Sequence, residues 1–359
     1  MFCCTNCFAD FEVKAIIGGY NFTGSCDFCG KYNVHVYEIG RNQILSELFD
    51  GLLDIYTPAA SLPDNFPKDR TDLLKNILYY NWNIFAVKPN CIYKLITAIC
   101  AERYKEQPGL FDSPIGILQC HDHDYLETNA ILKNHCWSDF VEAIKHKNRF
   151  HSDYINTDVL YTFLRCARKS YKAGKVFYRA RISPTDKGYP RKEMSAPPDA
   201  KAKAGRVNPE GISILYLANS KDTTFYEIRA GVYDYVTVGK FRLQKDIEVI
   251  NFAEVDKISP FIGIDYGFDF TQYATNIEHL KMIGQEIAKP LRNDNTLDYL
   301  PTQYISDYLK SKGYDGIEYI STMCENGINL AVFDQSLFKC IDTAVYDVKS
   351  ISCSYDKIK

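Results

Sequence analysis

The chemically distinctive polar residues of this chain lie far apart, and that dispersion constrains the fold more than any local run does. Tyr178-Arg179 is followed by Gly205-Arg206-Val207-Asn208-Pro209-Glu210-Gly211, then by Leu215-Tyr216-Leu217-Ala218 and Glu227, and finally by Asp315-Gly316-Ile317-Glu318-Tyr319-Ile320-Ser321. A cap or a turn uses neighbours in sequence. Residues spread from position 178 to position 321 act together only if strands from distant parts of the chain converge on one pocket. The local pattern agrees. Short β-rich runs at 176–182, 212–217, 236–243, 247–252, 316–320 and 328–333 alternate with helical periodicity near 223–230, 271–287 and 302–312, which predicts an α+β domain. The stretch 183–203, with Pro184, Pro190, Pro197 and Pro198, reads as a long loop and a candidate lid or substrate-binding loop.

The length of 359 residues suits two domains with a small extra module. Hydrophobic residues make up 46% and charged residues 24%, enough apolar material for ordinary cores. Lys and Arg number 42 against 45 Asp and Glu, so no basic excess points to general nucleic-acid binding. The 27 Tyr and 21 Phe are read mainly as core. The most apolar helical stretch, 91–100, is too short to span a bilayer and carries Lys94, and the first residues lack a secretion signal. A cytoplasmic location is expected, and the 13 cysteines are then metal ligands and buried thiols rather than a disulfide framework.

Cys4-Thr5-Asn6-Cys7 and Cys26-Asp27-Phe28-Cys29 form two short cysteine pairs eighteen residues apart. Each two-residue gap lets both sulfurs of a turn face one ion, the arrangement of a tetrahedral Zn2+ site. Cys3 is an alternative to Cys4. Val13, Ile16, Ile17, Tyr20 and Phe22 between the pairs suggest a hairpin, giving a zinc ribbon over 1–38. Four sulfur ligands leave no position for water, so such an ion is structural. Nucleic-acid binding by the ribbon is not indicated by any further residue.

Residues 39–168 read as a helical domain. Ile44, Leu45, Leu48, Phe49, Leu52 and Leu53 recur at helical spacing up to Pro58; Leu73, Leu74, Ile77 and Leu78 begin a second helix, 91–100 a third, and 137–147 a further one. His121-Asp122-His123-Asp124 reads as a solvated turn rather than a metal site.

The set Arg179, Arg206, Glu227 and Ser321, with Tyr178, Tyr216 and Asn329-Leu330-Ala331-Val332-Phe333 in order, resembles the RES family, named for its Arg, Glu and Ser, whose characterised members are bacterial toxins that degrade NAD+. The resemblance covers 176–335. It implies an ADP-ribosyltransferase-like split β-sheet in a RES domain over 169–359, with a nicotinamide pocket between the halves. It also implies NAD+ as substrate and a neutralising antitoxin or regulatory protein as partner. The helices around Asn81-Trp82-Asn83-Ile84-Phe85 resemble the HEPN-type domain found ahead of some RES domains, although none of the seven histidines has the upstream Arg of a HEPN nuclease.

The resemblance and the side-chain chemistry together assign roles. Glu227 supplies a carboxylate to the ribose, Arg179 and Arg206 hold pyrophosphate, Tyr178 and Tyr216 offer stacking surfaces, and Ser321 supports the carboxylate or ribose. Arg179 and Arg181 flank Ala180 in a strand; one of them is expected in the pocket, with Arg179 matching the family better. Thr224-Phe225-Tyr226-Glu227 also fits a capping box, in which Glu227 would satisfy only a backbone donor. Three functions follow from this reading: an NAD+ glycohydrolase or phosphorylase, an ADP-ribosyltransferase acting on a macromolecule, and a zinc-ribbon and helical binding module with an idle RES domain.

Overall fold

A computed structural model describes residues 1–290, 295–352 and 357. The chain forms two compact units. The first comprises 1–136, 153–163 and 256–279; the second comprises 137–152, 164–255 and 280–359.

In the first unit, β1 (Phe2–Cys4), β2 (Thr23–Gly24) and β3 (Val34–Glu38) make an antiparallel sheet in the order β1-β3-β2. Between the cysteine pairs runs a helix, Phe11–Gly19, and not the expected hairpin. Asp10 caps it by accepting the Val13 N–H at 3.0 Å, and Val13 and Ile17, one turn apart, are both buried. The helices Ile44–Leu53, Leu74–Tyr80 and Pro89–Ile99 match the periodicity read from the sequence. A second small sheet joins β4 (Thr57–Pro58), β5 (Asp72–Leu73) and β6 (Pro114–Gly116). Asp122 caps the helix His123–Asn129 through the Tyr125 N–H, so the His-Asp repeat serves a helix start. Among the described residues no helix is long and apolar enough to cross a membrane.

The second unit is built on one eight-stranded sheet. Its strands are β7 (Arg168–Tyr171), β8 (Val176–Ser183), β9 (Leu215–Ala218), β10 (Tyr235–Leu243), β11 (Ile247–Asn251), β12 (Gly316–Ile320), β13 (Ile328–Val332) and β14 (Phe338–Asp347). Their order is β14-β10-β8-β9-β13-β12-β11-β7. All neighbours are antiparallel except the parallel β11–β12 pair. Every junction carries at least three register pairs except β8–β9, which meet only at Tyr178↔Ala218. The sheet is split at that point.

The stretch 183–203 is not a lid. Met194 is fully buried and Ala196 nearly so, both within the cluster that holds Phe177, Leu215, Leu217, Phe241 and Leu330. Tyr189 N–H donates to Thr237 Oγ1, and Ser213 Oγ donates to the Pro197 carbonyl. Gly188, at φ +66, lies so close to Val345 and Thr237 that a Cβ there would meet them at 2.3 and 2.6 Å. The segment therefore covers one sheet face as core. Met194→Ala is expected to destabilise the protein by about 2–4 kcal/mol in denaturant unfolding. A cost below about 0.5 kcal/mol would mark the segment as the surface loop first expected.

Candidate active site

Continuing the antiparallel register past Tyr178↔Ala218 would pair Arg179 with Leu217 and Ala180 with Tyr216. Those pairs do not form, and the same four residues line a cavity of about 300 Å³, together with Tyr178, Gly205, Arg206, Ala218, Thr224, Glu227, Ile228, Tyr299, Tyr319 and Asn329. The strands part there, and the cavity occupies the gap between them.

Glu227 ends the helix Lys221–Glu227. That helix starts at Ser220, whose hydroxyl accepts the Thr223 N–H at 3.1 Å, so the capping-box reading of Glu227 is wrong. Instead, the Oε1 atom of Glu227 accepts from Ser321 Oγ at 2.6 Å and from Asn329 Nδ2 at 2.8 Å, while Oε2 lies 3.6 Å from Arg206 Nη2. Ser321 follows β12 and Asn329 lies on β13, so adjacent strands deliver both donors. Ser321 is buried and absent from the cavity wall; it orients the carboxylate.

Arg206 projects from the Gly205–Gly211 turn. Its Nη1 donates to the Ala288 carbonyl at 2.9 Å, and its guanidinium lies 5.4 Å from the centre of the Tyr319 ring. The turn is held by a buried polar stripe on the helix Leu300–Ser311. Thr302 Oγ1 donates to the Arg206 carbonyl at 2.5 Å, Ser306 Oγ to the Val207 carbonyl at 2.7 Å, and Gln303 Nε2 to those of Gly205 and Asn208, both at 2.8 Å. Asn208 Nδ2 donates to the carbonyls of Lys203, Pro209 and Ile212, and its Oδ1 accepts the Tyr216 hydroxyl at 2.7 Å. Burial pushes the Tyr216 phenol far above its ordinary pKa, so it stays a neutral donor.

Arg179 and Arg181 occupy the same face of β8, as the two-residue period of a strand requires, and are separated along it instead. Arg181 is taken by the Glu193 carbonyl and by the Tyr189 ring, 4.0 Å from its guanidinium. Arg179 lines the cavity, and its Nε and Nη1 are buried without a hydrogen-bond partner. Burial, reinforced by the Arg181 charge, lowers Arg179 to about 10, which leaves it cationic at neutral pH. Glu318, within the late segment, turns away from this site: it is buried against Lys169 Nζ at 2.6 Å and the Tyr171 hydroxyl.

Sequence reasoning named Arg179, Arg206, Tyr178, Tyr216, Glu227 and Ser321, and all six lie in or directly against this site. It gave no role to Asn329, Tyr299, Tyr319 or the Thr302, Gln303 and Ser306 stripe. The spacing of that stripe, i, i+1, i+4 on one helix face, was the available signal.

In the first unit, Cys4, Cys7, Cys26 and Cys29 bring their sulfurs within 4.8 Å of one another. The Cys4–Cys29 and Cys7–Cys26 distances are 3.5 Å and the Cys4–Cys7 distance is 3.8 Å. Four bonds of about 2.3 Å to a tetrahedral ion imply edges of about 3.8 Å, so the donor set fits zinc. Cys3 points to the opposite face of β1 and lies outside the group.

The fold is thus an α+β domain with a split sheet and a carboxylate–guanidinium cleft. A family model for the RES domain matches residues 176–356, half of the chain, and the chain belongs to that family. Among solved structures, a match is the crystal structure of the M. tuberculosis MbcT-MbcA toxin-antitoxin complex. The identity is 12% and the TM-score 0.31, with 52% of this chain and 92% of that chain covered. No curated protein sequence matches.

A Cβ on Gly205 would meet Asn208 Oδ1 at 2.5 Å and the Tyr216 hydroxyl at 2.7 Å. Gly205→Ala is therefore expected to break the Tyr216–Asn208 bond and destabilise the protein by about 1–3 kcal/mol in thermal or denaturant unfolding. An unchanged midpoint would contradict the close approach.

Proposed function

We propose that the chain is an NAD+-consuming enzyme that cleaves the bond between nicotinamide and ribose. The observation that carries this reading is the pairing of a clamped carboxylate, Glu227, with a buried guanidinium, Arg179, that has two donor atoms unspent, across one cleft. Nicotinamide in NAD+ is cationic and leaves as a neutral base, taking the bonding electron pair. Positive charge then builds on the ribose. A carboxylate already oriented by two donors stabilises that charge without reorganising. Arg179 binds pyrophosphate through its free N–H groups, and the tyrosines of the cleft wall the nicotinamide. Arg206 is largely engaged with Glu227, the Ala288 carbonyl and Tyr319, so it fixes the carboxylate and adds charge toward the phosphates.

The acceptor is water or inorganic phosphate. With water the products are ADP-ribose, nicotinamide and a proton; with phosphate the ribose C1′ takes a phosphate oxygen instead. Neither course needs Glu227 to change protonation state. A cell that depends on NAD+ must restrain such an enzyme, and a neutralising protein partner belongs to this proposal.

Nicotinamide release by the purified full chain, with and without phosphate, tests the reading. Glu227→Ala is expected to lower turnover at least about 100-fold and Ser321→Ala less, since Asn329 still holds Oε1. Turnover of Glu227→Ala within a few-fold of the native rate would sink the assignment.

The four-cysteine cluster, on this reading, holds one structural Zn2+. Elemental analysis is expected to find one zinc per chain, lost in the Cys26→Ser, Cys29→Ser double variant together with unfolding of the first unit. A stable, zinc-free native protein would contradict it.

A further inference from the structure

A second cavity lies within the first unit and measures about 750 Å³, against about 300 Å³ for the RES cleft. Its size falls within the range of small-molecule sites. Its aromatic side is fixed by protein contacts: Trp82 Nε1 donates to the Tyr56 hydroxyl at 2.7 Å, and the indole stacks on Tyr273 with centres 5.2 Å apart. Phe66 meets the His121 ring edge-on at 4.7 Å.

Among the groups lining this cavity, His279, Arg70 and Asp69 make no side-chain hydrogen bond or ion pair among the described residues. His279 Nδ1 is buried without a hydrogen-bond partner, which costs about 1–3 kcal/mol unless something satisfies it. Burial also keeps that imidazole below its ordinary pKa, hence neutral. Arg70, an exposed residue of the lining, makes no side-chain hydrogen bond or ion pair among the described residues. Lys133, which also lines the cavity, differs: Glu127 holds it at 3.1 Å and Asp153 at 2.7 Å. The cavity thus offers aromatic rings, the neutral His279 imidazole and the Arg70 cation, beside the carboxylates of Asp69, Asp72 and Glu278.

We propose that this cavity binds a free nucleoside monophosphate, with the base among Trp82, Phe66 and His121, a base edge on His279, and the phosphate on Arg70. A purely apolar ligand would leave His279 and Arg70 unpaired. Inorganic phosphate would leave most of the volume and all of the aromatic wall unused. The proposal does not rest on the NAD+ reading.

The test is calorimetric titration of AMP and of GMP into the full chain carrying Glu227→Ala. Saturable binding of one or both, near one per chain, is expected. Adding Arg70→Glu, a change at an exposed position, should weaken that binding at least about 10-fold, and adding His279→Ala should weaken it while circular dichroism shows an intact fold. Arg179→Ala should leave it unchanged. Absence of binding by either nucleotide to folded protein would overturn the proposal. So would binding lost with Arg179→Ala and indifferent to Arg70→Glu, which would put the nucleotide in the RES cleft. In the otherwise native chain, Arg70→Glu should keep NAD+ turnover, so failure here and failure of the proposed enzyme activity are separately visible.

Discussion

The carboxylate of Glu227 is the point on which the second unit converges. One oxygen takes two hydrogen bonds and the other faces a guanidinium. Hydrogen bonds to a charged group contribute about 1.5–3 kcal/mol each, and a half-buried carboxylate stripped of them would lose its fixed orientation. The strand order serves this arrangement. β9, β13 and β12 are neighbours, so the helix after β9, a residue of β13 and the residue following β12 meet at one place. Distant sequence positions become adjacent because the sheet, and not any local motif, brings them together.

The cleft exists because β8 and β9 decline to pair beyond one residue. Tyr216, which would otherwise face Ala180 across a closed ladder, is tied by its hydroxyl to Asn208 in the Gly205–Gly211 turn. That turn is in turn fastened to the helix Leu300–Ser311. The opening is thus a property of the backbone framework, and Arg179 Nε and Nη1 beside it have no hydrogen-bond partner. The cysteine cluster is equally integrated into the first unit. The N–H groups of Ala9 and Asp10 donate to the Ile84 carbonyl, Ala86 donates to the Cys7 carbonyl, and Phe8 packs with Phe49 and Phe85.

Much of this was legible because sheet strands with apolar alternation announce themselves. β12 was read to the residue, and β8 to within one. The edge strands β7 and β14 were missed because edges need little burial: Arg168-Lys169-Ser170-Tyr171 carries no apolar alternation, and β14 buries only Phe338. The segment Phe11–Gly19 reads as a hairpin from Val13, Ile16, Ile17, Tyr20 and Phe22, since β-branched and aromatic residues favour strands, although Asp10 and the Val13–Ile17 spacing carry the helical signal. The 183–203 segment looked like a lid because four prolines hide a core residue, Met194. Glu227 itself was ambiguous in sequence, since only the three-dimensional neighbours Ser321, Asn329 and Arg206 distinguish a site carboxylate from a helix cap.

On the proposed function, the RES cleft holds NAD+ and Arg179 supplies the unspent donors. The most direct measurement is the NAD+ affinity of the Glu227→Gln chain compared with the Glu227→Gln, Arg179→Ala double variant, by calorimetry at moderate salt. The account predicts measurable NAD+ binding to the first and a loss of about 10- to 100-fold in the second. Equal affinities, or no binding to a folded Glu227→Gln chain, would contradict it.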